Sequence, residues 1–274
     1  MTAPLSMTRA RRVVLAAGLP VVLALIALMS YDAVALSDQA GYRVHVSVPA
    51  RGGQTRVRID NASATLRPGS GDQISLSGTL RGSLARPSFS WRQAASGLTL
   101  HSRCWAWAGF CSLEYDITAP AELPLTVSDR SGDLNASGFG GHVTLSGGAG
   151  NITASHLSGT IELASGSGDI TASGLDGSVR LSDGAGNIVV SGLAATDVTG
   201  DNGSGDITLT FTRVPRLVNV TSESGNITLV LPPGPSYRVT ALATSGNSTV
   251  SVKTSPSSPY VITVSDGTGN ITIV

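Results

Sequence analysis

The chain has 274 residues, enough for one large domain or two modest ones. Its 18 basic and 18 acidic residues cancel and 13% of positions are charged, which removes the electrostatic case for nucleic acid as a partner. Gly at 33 positions, aromatics at 4% and few helix formers beyond residue 36 argue for many short strands joined by tight turns.

A short basic tail, residues 1–12, ends in Arg9-Ala10-Arg11-Arg12. Val13 to Met29 then carry no charge, and at about 1.5 Å per residue they make roughly 25 Å of helix. Ser30 and Tyr31 extend the run to the interface, so the sequence predicts a transmembrane anchor over residues 13–31. The basic flank places the tail in the cytoplasm and the rest of the chain outside. A cleaved signal peptide is the rival, because Ala33-Val34-Ala35 fits a small-residue cleavage site. The apolar run exceeds the usual ~7–15 residues of a signal core, which favours the anchor. The expected location is the cell membrane, single-pass, with secretion after cleavage at Ala35 as the alternative. No cysteine follows the run, so nothing points to a lipoprotein anchor.

Residues 37–126 form a less regular β region. "YRVHVSV", "QTRVRID", "QISLSGTL" and "LTLHSRC" each read as strands, as irregular starting coils or as a small β cap. The chain's two cysteines, Cys104 and Cys111, lie here in "SRCWAWAGFCSLEYDI". A redox pair would normally be spaced C-x-x-C, and a metal would want two more ligands where His101 is the one suitable neighbour. A structural disulfide closing a small loop outside the cell is the preferred reading. Trp105, Trp107 and Phe110 sit inside that loop as a possible contact surface for sugar rings. The plainer account is that they cover an open end or flank of the fold. Residues 36–126 hold nine arginines against six acids, and residues 127–274 carry a net charge of −5, which supports a boundary near 126.

From residue 127 onward the chain repeats. Gly132-Asp133, Gly150-Asn151, Gly168-Asp169 and Gly186-Asn187 are each 18 residues apart. Gly205-Asp206, Gly225-Asn226, Gly246-Asn247 and Gly269-Asn270 follow at spacings of 19, 20, 21 and 23. Between the markers, Leu134, Ile152, Ile170 and Ile188 occupy one position, and Ala136, Ala154, Ala172 and Val190 another. Phe139, Leu157, Leu175 and Leu193 follow, then Val143, Ile161 and Val179, then Leu145, Leu163 and Leu181. Polar residues alternate with them, the period-2 pattern of a strand with one buried face. Each unit therefore holds two strands of about four residues.

One unit cannot bury its apolar face alone, whereas stacked units can. The expected fold is all-β: a single-stranded parallel β-helix, a solenoid of ~18-residue coils, right-handed by the parallel-crossover rule, behind one N-terminal transmembrane helix. A four-stranded propeller blade needs ~40 residues, which disfavours a propeller. Gly, Asp and Asn turn the chain, and stacked Asn and Asp at one corner are expected to form a ladder. The longer later spacings are assigned to loop insertions, "PPGPSY" (232–237) and "SPSSP" (255–259).

No catalytic residue, cofactor or metal ligand is assigned. A phosphate loop needs Gly-x-x-x-x-Gly-Lys-Ser/Thr, and the single lysine, Lys253, follows none of these glycines. A calcium nonapeptide array needs a nine-residue period and an aspartate in every turn, but Asn replaces Asp in alternate coils. A carbohydrate enzyme needs clustered carboxylates on one face. Here Asp133, Asp169, Asp183, Asp201 and Asp206 read as turn residues. His45, His101, His142 and His156 share no spacing, and His156 stands where sister coils have Gly138, Gly174 and Gly192. The eight Asn-x-Ser/Thr sequons, among them Asn151, Asn226 and Asn270, are mostly Asn turns preceding Thr-bearing strands.

The repeated "SGDITASG" and "AGNITASG"-like motifs resemble the bacterial DUF4097 family of adhesin-type β-repeat proteins. "LTLHSRC…CSLEYDITAPAELPLTV" (98–127) is similar to that family's paired-cysteine stretch, and "SGNITLVLPPGPSYRV" (224–239) to its later coils. The resemblance covers roughly residues 40–274. It implies a β-helical domain outside the membrane, often behind one transmembrane helix, and transfers no catalytic residues.

The expected function is non-enzymatic: a membrane-anchored extracytoplasmic adhesin or envelope scaffold. Its partners would be a cell-surface glycan or protein, with the membrane reached through the N-terminal helix and no nucleic acid. Its exposed Thr171, Ser173, Ser178 and Arg180 would supply shallow contacts. A sensory ectodomain acting through a membrane partner is the alternative. A β-helical carbohydrate enzyme is the more remote one.

Overall fold

The computed structural model describes residues 40–50, 55–59, 61–82, 87–94, 97–103 and 111–274. The expected membrane segment, and Cys104, Trp105, Trp107 and Phe110, lie outside these residues. Among the described residues there is no helix, and none long and apolar enough to cross a membrane. The chain divides into two compact units. The smaller contributes the described residues 40–42, 80–82, 87 and 111–112, where the Tyr42 hydroxyl donates to the Pro87 carbonyl. The larger comprises residues 43–79, 88–103 and 113–274.

The described strands before the repeats are β1 (Ala40–Pro49), β2 (Thr55–Ile59), β3 (Ser63–Gly69), β4 (Gln73–Gly82), β5 (Ser88–Ala94), β6 (Gly97–Arg103) and β7 (Cys111–Pro120). Then follow β8 (Leu125–Asp129), β9 (Leu134–Ser137), β10 (His142–Gly147), β11 (Ile152–Ser155), β12 (Ser158–Ser165) and β13 (Ile170–Ser173). Next come β14 (Asp176–Ala185), β15 (Ile188–Leu193), β16 (Asp197–Ser204), β17 (Ile207–Phe211), β18 (Leu217–Ser224) and β19 (Ile227–Val230). The chain closes with β20 (Arg238–Ser245), β21 (Ser248–Val250), β22 (Val261–Thr268) and β23 (Ile271–Ile273).

These strands form two sheets, of 12 and 11 strands. From β7 to β23 successive strands alternate between the two sheets, one of each per coil, so an all-β parallel solenoid is the observed fold. The strands of the first sheet are about as short as the repeat implies, for example the four residues of β11 and β13. Those of the second are longer, eight residues in β12 and ten in β14, because pairing continues into the turns.

Parallel register stacks like on like. Ile152 pairs with Leu134 and Ile170, and Ile170 with Ile188, then Ile207, Ile227 and Ile271. Opposite them run Val143, Ile161 and Val179, with Leu145, Leu163 and Leu181 two residues on. All are buried. Each such side chain contributes about 1.5–3 kcal/mol through burial, and none reaches it without its neighbours above and below.

The corner between the sheets carries the predicted ladder. Oδ1 of Asp133 accepts from the Asn151 amide at 2.9 Å, Oδ1 of Asn151 from the Asp169 amide at 2.9 Å, and Oδ1 of Asp169 from the Asn187 amide at 2.8 Å. The series continues through Asp206, Asn226, Asn270 and Asn247. At two of the steps where Asn follows Asp, its Nδ2 also donates to the same carboxylate, Asn187 to Asp169 at 3.2 Å and Asn226 to Asp206 at 3.1 Å. The Asp/Asn alternation over this stretch keeps successive carboxylates two coils apart, about 9–10 Å rather than ~4.8 Å. The preceding glycine is required by closeness. A Cβ at Gly168 would lie 2.3 Å from the Gly150 carbonyl oxygen, and one at Gly150 the same distance from that of Gly132.

Stacking does not follow chain order at either end. The spatial order is β19, β23, β21 in one sheet and β18, β22, β20 in the other. The last coil is thus inserted between the two that precede it. The long later spacings are therefore not simple loop bulges. Residues 232–237 carry the chain one layer outward past a vacant level, with Tyr237 buried and its hydroxyl donating to the Pro232 carbonyl at 2.8 Å. Residues 251–260 bring it back, and β22 and β23 occupy that level. The same pattern opens the solenoid, where β2 and β3 lie between β6–β7 and β8–β9. β5 turns back on β6 in antiparallel register.

The corner contact makes a sharp contrast testable. Gly168→Ala is expected to destabilise by about 1–3 kcal/mol, because backbone must move to admit the methyl. Gly200→Ala, whose Cβ would meet Val220 carbons at 3.5 Å, is expected to be neutral or stabilising by about 0.4–1 kcal/mol. Urea unfolding of the two variants checks both signs.

Candidate functional site

The interior is filled by side chains, so candidate sites lie on its surface or in its polar corner. Outward positions of the first sheet align Thr153, Thr171, Val189, Thr208, Thr228 and Thr272 across neighbouring strands. Thr171 is exposed and Ser173 half-buried; Ser178 and Arg180 are exposed on the second sheet, with Glu162 in register beside Arg180. These outward residues are where the sequence placed them. His156 holds a positive φ of 51° at an exposed position, which accounts for glycine in its sister coils. His45 and His101 are exposed, and His142 contacts the Thr144 hydroxyl at 3.2 Å. No group of three or more metal-ligating side chains occurs among the described residues. Cys111 opens β7 half-buried, while Cys104 and the three aromatic residues of its loop are outside the described residues.

A second polar column was not anticipated. Asp129, Gly147, Ser165, Asp183, Asn202, Ser222 and Asp266 are in register along the inner side of the corner. Asp183, Asn202 and Asp266 are 4%, 0% and 1% exposed, so this column is interior. Asp183 was read with Asp201 as an ordinary turn residue, but Asp201 is exposed. The distinguishing signal is spacing, since Asp129, Asp183 and Asp266 each stand three residues before a corner glycine.

Asn202 shows what this place asks for. Its Nδ2 donates to the carbonyls of Gly186 and Gly205, at 2.9 and 3.0 Å. Asp183 brings a carboxylate instead. Its Oδ1 accepts from the Ala185 amide at 3.3 Å, whereas Oδ2 lies under Gly186 with no donor. Burial pushes the Asp183 pKa up, the Ala185 and Gly184 amides pull it down, and Asp169 raises it further. Burial likewise raises Asp266 against the amides of Gly267 and Thr268. It raises Asp129 as well, although amides from Arg130, Asn61, Ala62 and Ser131 face that carboxylate without closing a hydrogen bond.

Beyond the corner, the surface carries shallow clefts on the second sheet. The one with the most cationic lining holds about 300 Å³, with His101, Arg103 and Arg130 on its walls. A parallel two-sheet solenoid with an Asp/Asn corner ladder and a packed interior is the class that these features define.

The chain belongs to the Toastrack DUF4097 family, whose sequence profile matches residues 111–273. The resemblance read from the repeats is thereby confirmed over this range. A candidate adhesin from Bacteroides fragilis is similar in structure, with a TM-score of 0.53 at 14% identity over 85% of this chain and 97% of that one. A candidate adhesin from Parabacteroides distasonis gives a TM-score of 0.48 at 12% identity, over 85% of this chain and 98% of that one. At 14% identity the likeness to the Bacteroides fragilis structure is one of fold. No protein of curated function matches the chain.

Folding favours the protonated form of Asp183, since its folded pKa lies above its unfolded one. That contribution is complete below the unfolded value near 3.9 and is lost as pH rises through the folded value. Asp183→Asn is therefore expected to stabilise by about 1 kcal/mol at neutral pH, by donating as Asn202 does, and to give little at pH 3. Thermal unfolding of both proteins across pH 3–8 measures this. Equal stability at pH 7 would contradict it.

Proposed function

We propose that this protein is a non-catalytic binding module of the cell envelope, an adhesin or scaffold held outside the membrane by residues 13–31. The observation that carries this reading is the combination of Toastrack family membership with outward strand faces of in-register hydroxyl side chains. Related folds bear adhesin names, which is consistent with it. Parallel stacking repeats one exposed side chain every ~4.8 Å, which suits a partner that is itself repetitive, such as a glycan strand. Individual contacts of this kind are weak, and their sum over several coils gives useful avidity. In this reading Cys104 and Cys111 close the loop that presents Trp105, Trp107 and Phe110.

Full-length protein in detergent micelles, passed over immobilised envelope glycans and over solubilised membrane proteins of the host, tests the proposal. Retention on glycan, weakened about tenfold by Trp105→Ala/Trp107→Ala, is the expected result. Retention on a membrane protein alone would support the sensory-ectodomain reading instead, and turnover of the glycan would overturn the non-catalytic assignment.

A further inference from the structure

The second sheet near its β5 end presents cations that the sequence scatters over 75 positions. Register gathers them. Arg58 of β2 lies between Ser128 of β8 and Thr99 of β6, and Thr99 in turn faces Arg92 of β5. Arg56 is one pleat away, paired with Thr126 and Gly97. His101 pairs with Ser90, and Arg103 with Ser88. Arg130 follows directly after β8. All five arginines named are exposed, and none makes an ion pair among the described residues. The described outward positions of β2, β5, β6 and β8 carry no carboxylate. The nearest described acid, Asp129, is 6% exposed on the inner side.

Part of this surface is concave. The cleft of about 300 Å³ is walled by Arg103, Arg130, His101, Ser88, Ser90 and Asn61. Asn61 adopts a φ of 57°, and the Ser131 hydroxyl donates to its Oδ1 at 2.7 Å. That bond sets the amide orientation and leaves Nδ2 as a donor for something else. A neighbouring cleft shares Ser90 and His101 and adds Arg92 and Thr99, whereas Trp91, paired with buried Leu100, turns its side chain to the other face of the sheet.

We propose that these joined clefts bind a glycan bearing carboxylate groups, a polymer of sugar acids. The proposal rests on the envelope-binding reading and names its ligand class. Arginine forks match carboxylates bidentately, and hydroxyl and amide side chains match sugar hydroxyls. A phosphate polymer would use the arginines but would leave Ser88, Ser90 and Asn61 without sugar hydroxyls to meet. A lipid surface would be met by a flat or convex face with several apolar side chains, whereas this one is concave and lined by polar side chains.

The test uses the full chain in micelles, with polygalacturonate as probe. Polyphosphate, neutral dextran and phosphatidylglycerol vesicles form the other arms. Polygalacturonate binding is expected to weaken at least about tenfold in Arg103→Gln/Arg130→Gln and to fall between 50 mM and 300 mM salt. Ser90→Ala, at the junction of the two clefts, should weaken polygalacturonate without affecting polyphosphate. Arg238→Gln, an exposed arginine on β20, should leave binding unchanged, and unfolding midpoints of all variants should match the parent. Polygalacturonate binding that ignores Arg103 and Arg130, or binding to vesicles or polyphosphate in preference to polygalacturonate, overturns the proposal. Retention on neutral envelope glycan with no acidic preference overturns it as well, while leaving the wider binding function standing. No retention on any glycan removes both.

Discussion

The structure depends on how closely one coil approaches the next at the Gly-Asp/Asn corner. There the Cα of Gly168 sits against the Gly150 carbonyl with no room for a methyl, and the Asp169 amide donates to the Asn151 side chain. The two contacts act together. The glycine lets the backbones close to strand spacing, and the side-chain oxygen satisfies an amide that the turn would otherwise leave unpaired. Once the corner is in register, Ile170 must fall on Ile152, and the apolar columns align without further specification. A one-residue slip would turn every inward side chain outward.

That constraint also shapes the ends. A solenoid terminates in strand edges, and here both ends interleave their coils rather than stopping in sequence. At one end the coil of β22 and β23 is enclosed, with Ile271 and Ile273 buried. The level beyond it is built from β20 and β21, whose residues are mostly exposed, including Leu242 at 61%. The outermost level is thus made of more exposed strands, while β23 is held beneath it. Ion pairs add little at this scale. Arg213 to Asp176, at 3.1 Å, joins exposed side chains and pins a loop rather than the core.

The repeat was legible because every structural demand recurs at one spacing. Leu134 through Ile188, Val143 through Val179 and the corner Asp and Asn were all assigned correctly, since each repeats the same contact. His156 was legible for the same reason, as a departure from Gly138 and Gly174. The interleaved ends were not, because spacings of 20 to 23 between markers are equally compatible with bulging loops. Nothing in the strand pattern states which neighbour a coil will choose. Asp183 was grouped with Asp201 because two turn aspartates differ in burial rather than in local composition. The basic surface was invisible for a further reason. Arg58, Arg92, Arg103 and Arg130 belong to separate segments that only strand pairing unites.

The central claim is that corner register, not chain order, decides which coils touch. Paired cysteine substitutions measure this directly. Thr228 and Thr272 are register partners on adjacent strands, and Thr249 lies one strand further out. Neighbouring strands place Cα atoms about 5 Å apart, within disulfide range, whereas two strands are roughly 9–10 Å apart and outside it. Under mild oxidation, Thr228→Cys/Thr272→Cys should cross-link in the folded protein, as read by non-reduced peptide mapping, and Thr228→Cys/Thr249→Cys should not. Cross-linking of 228 to 249, with none to 272, would mean that the coils stack in sequence order and would contradict the account.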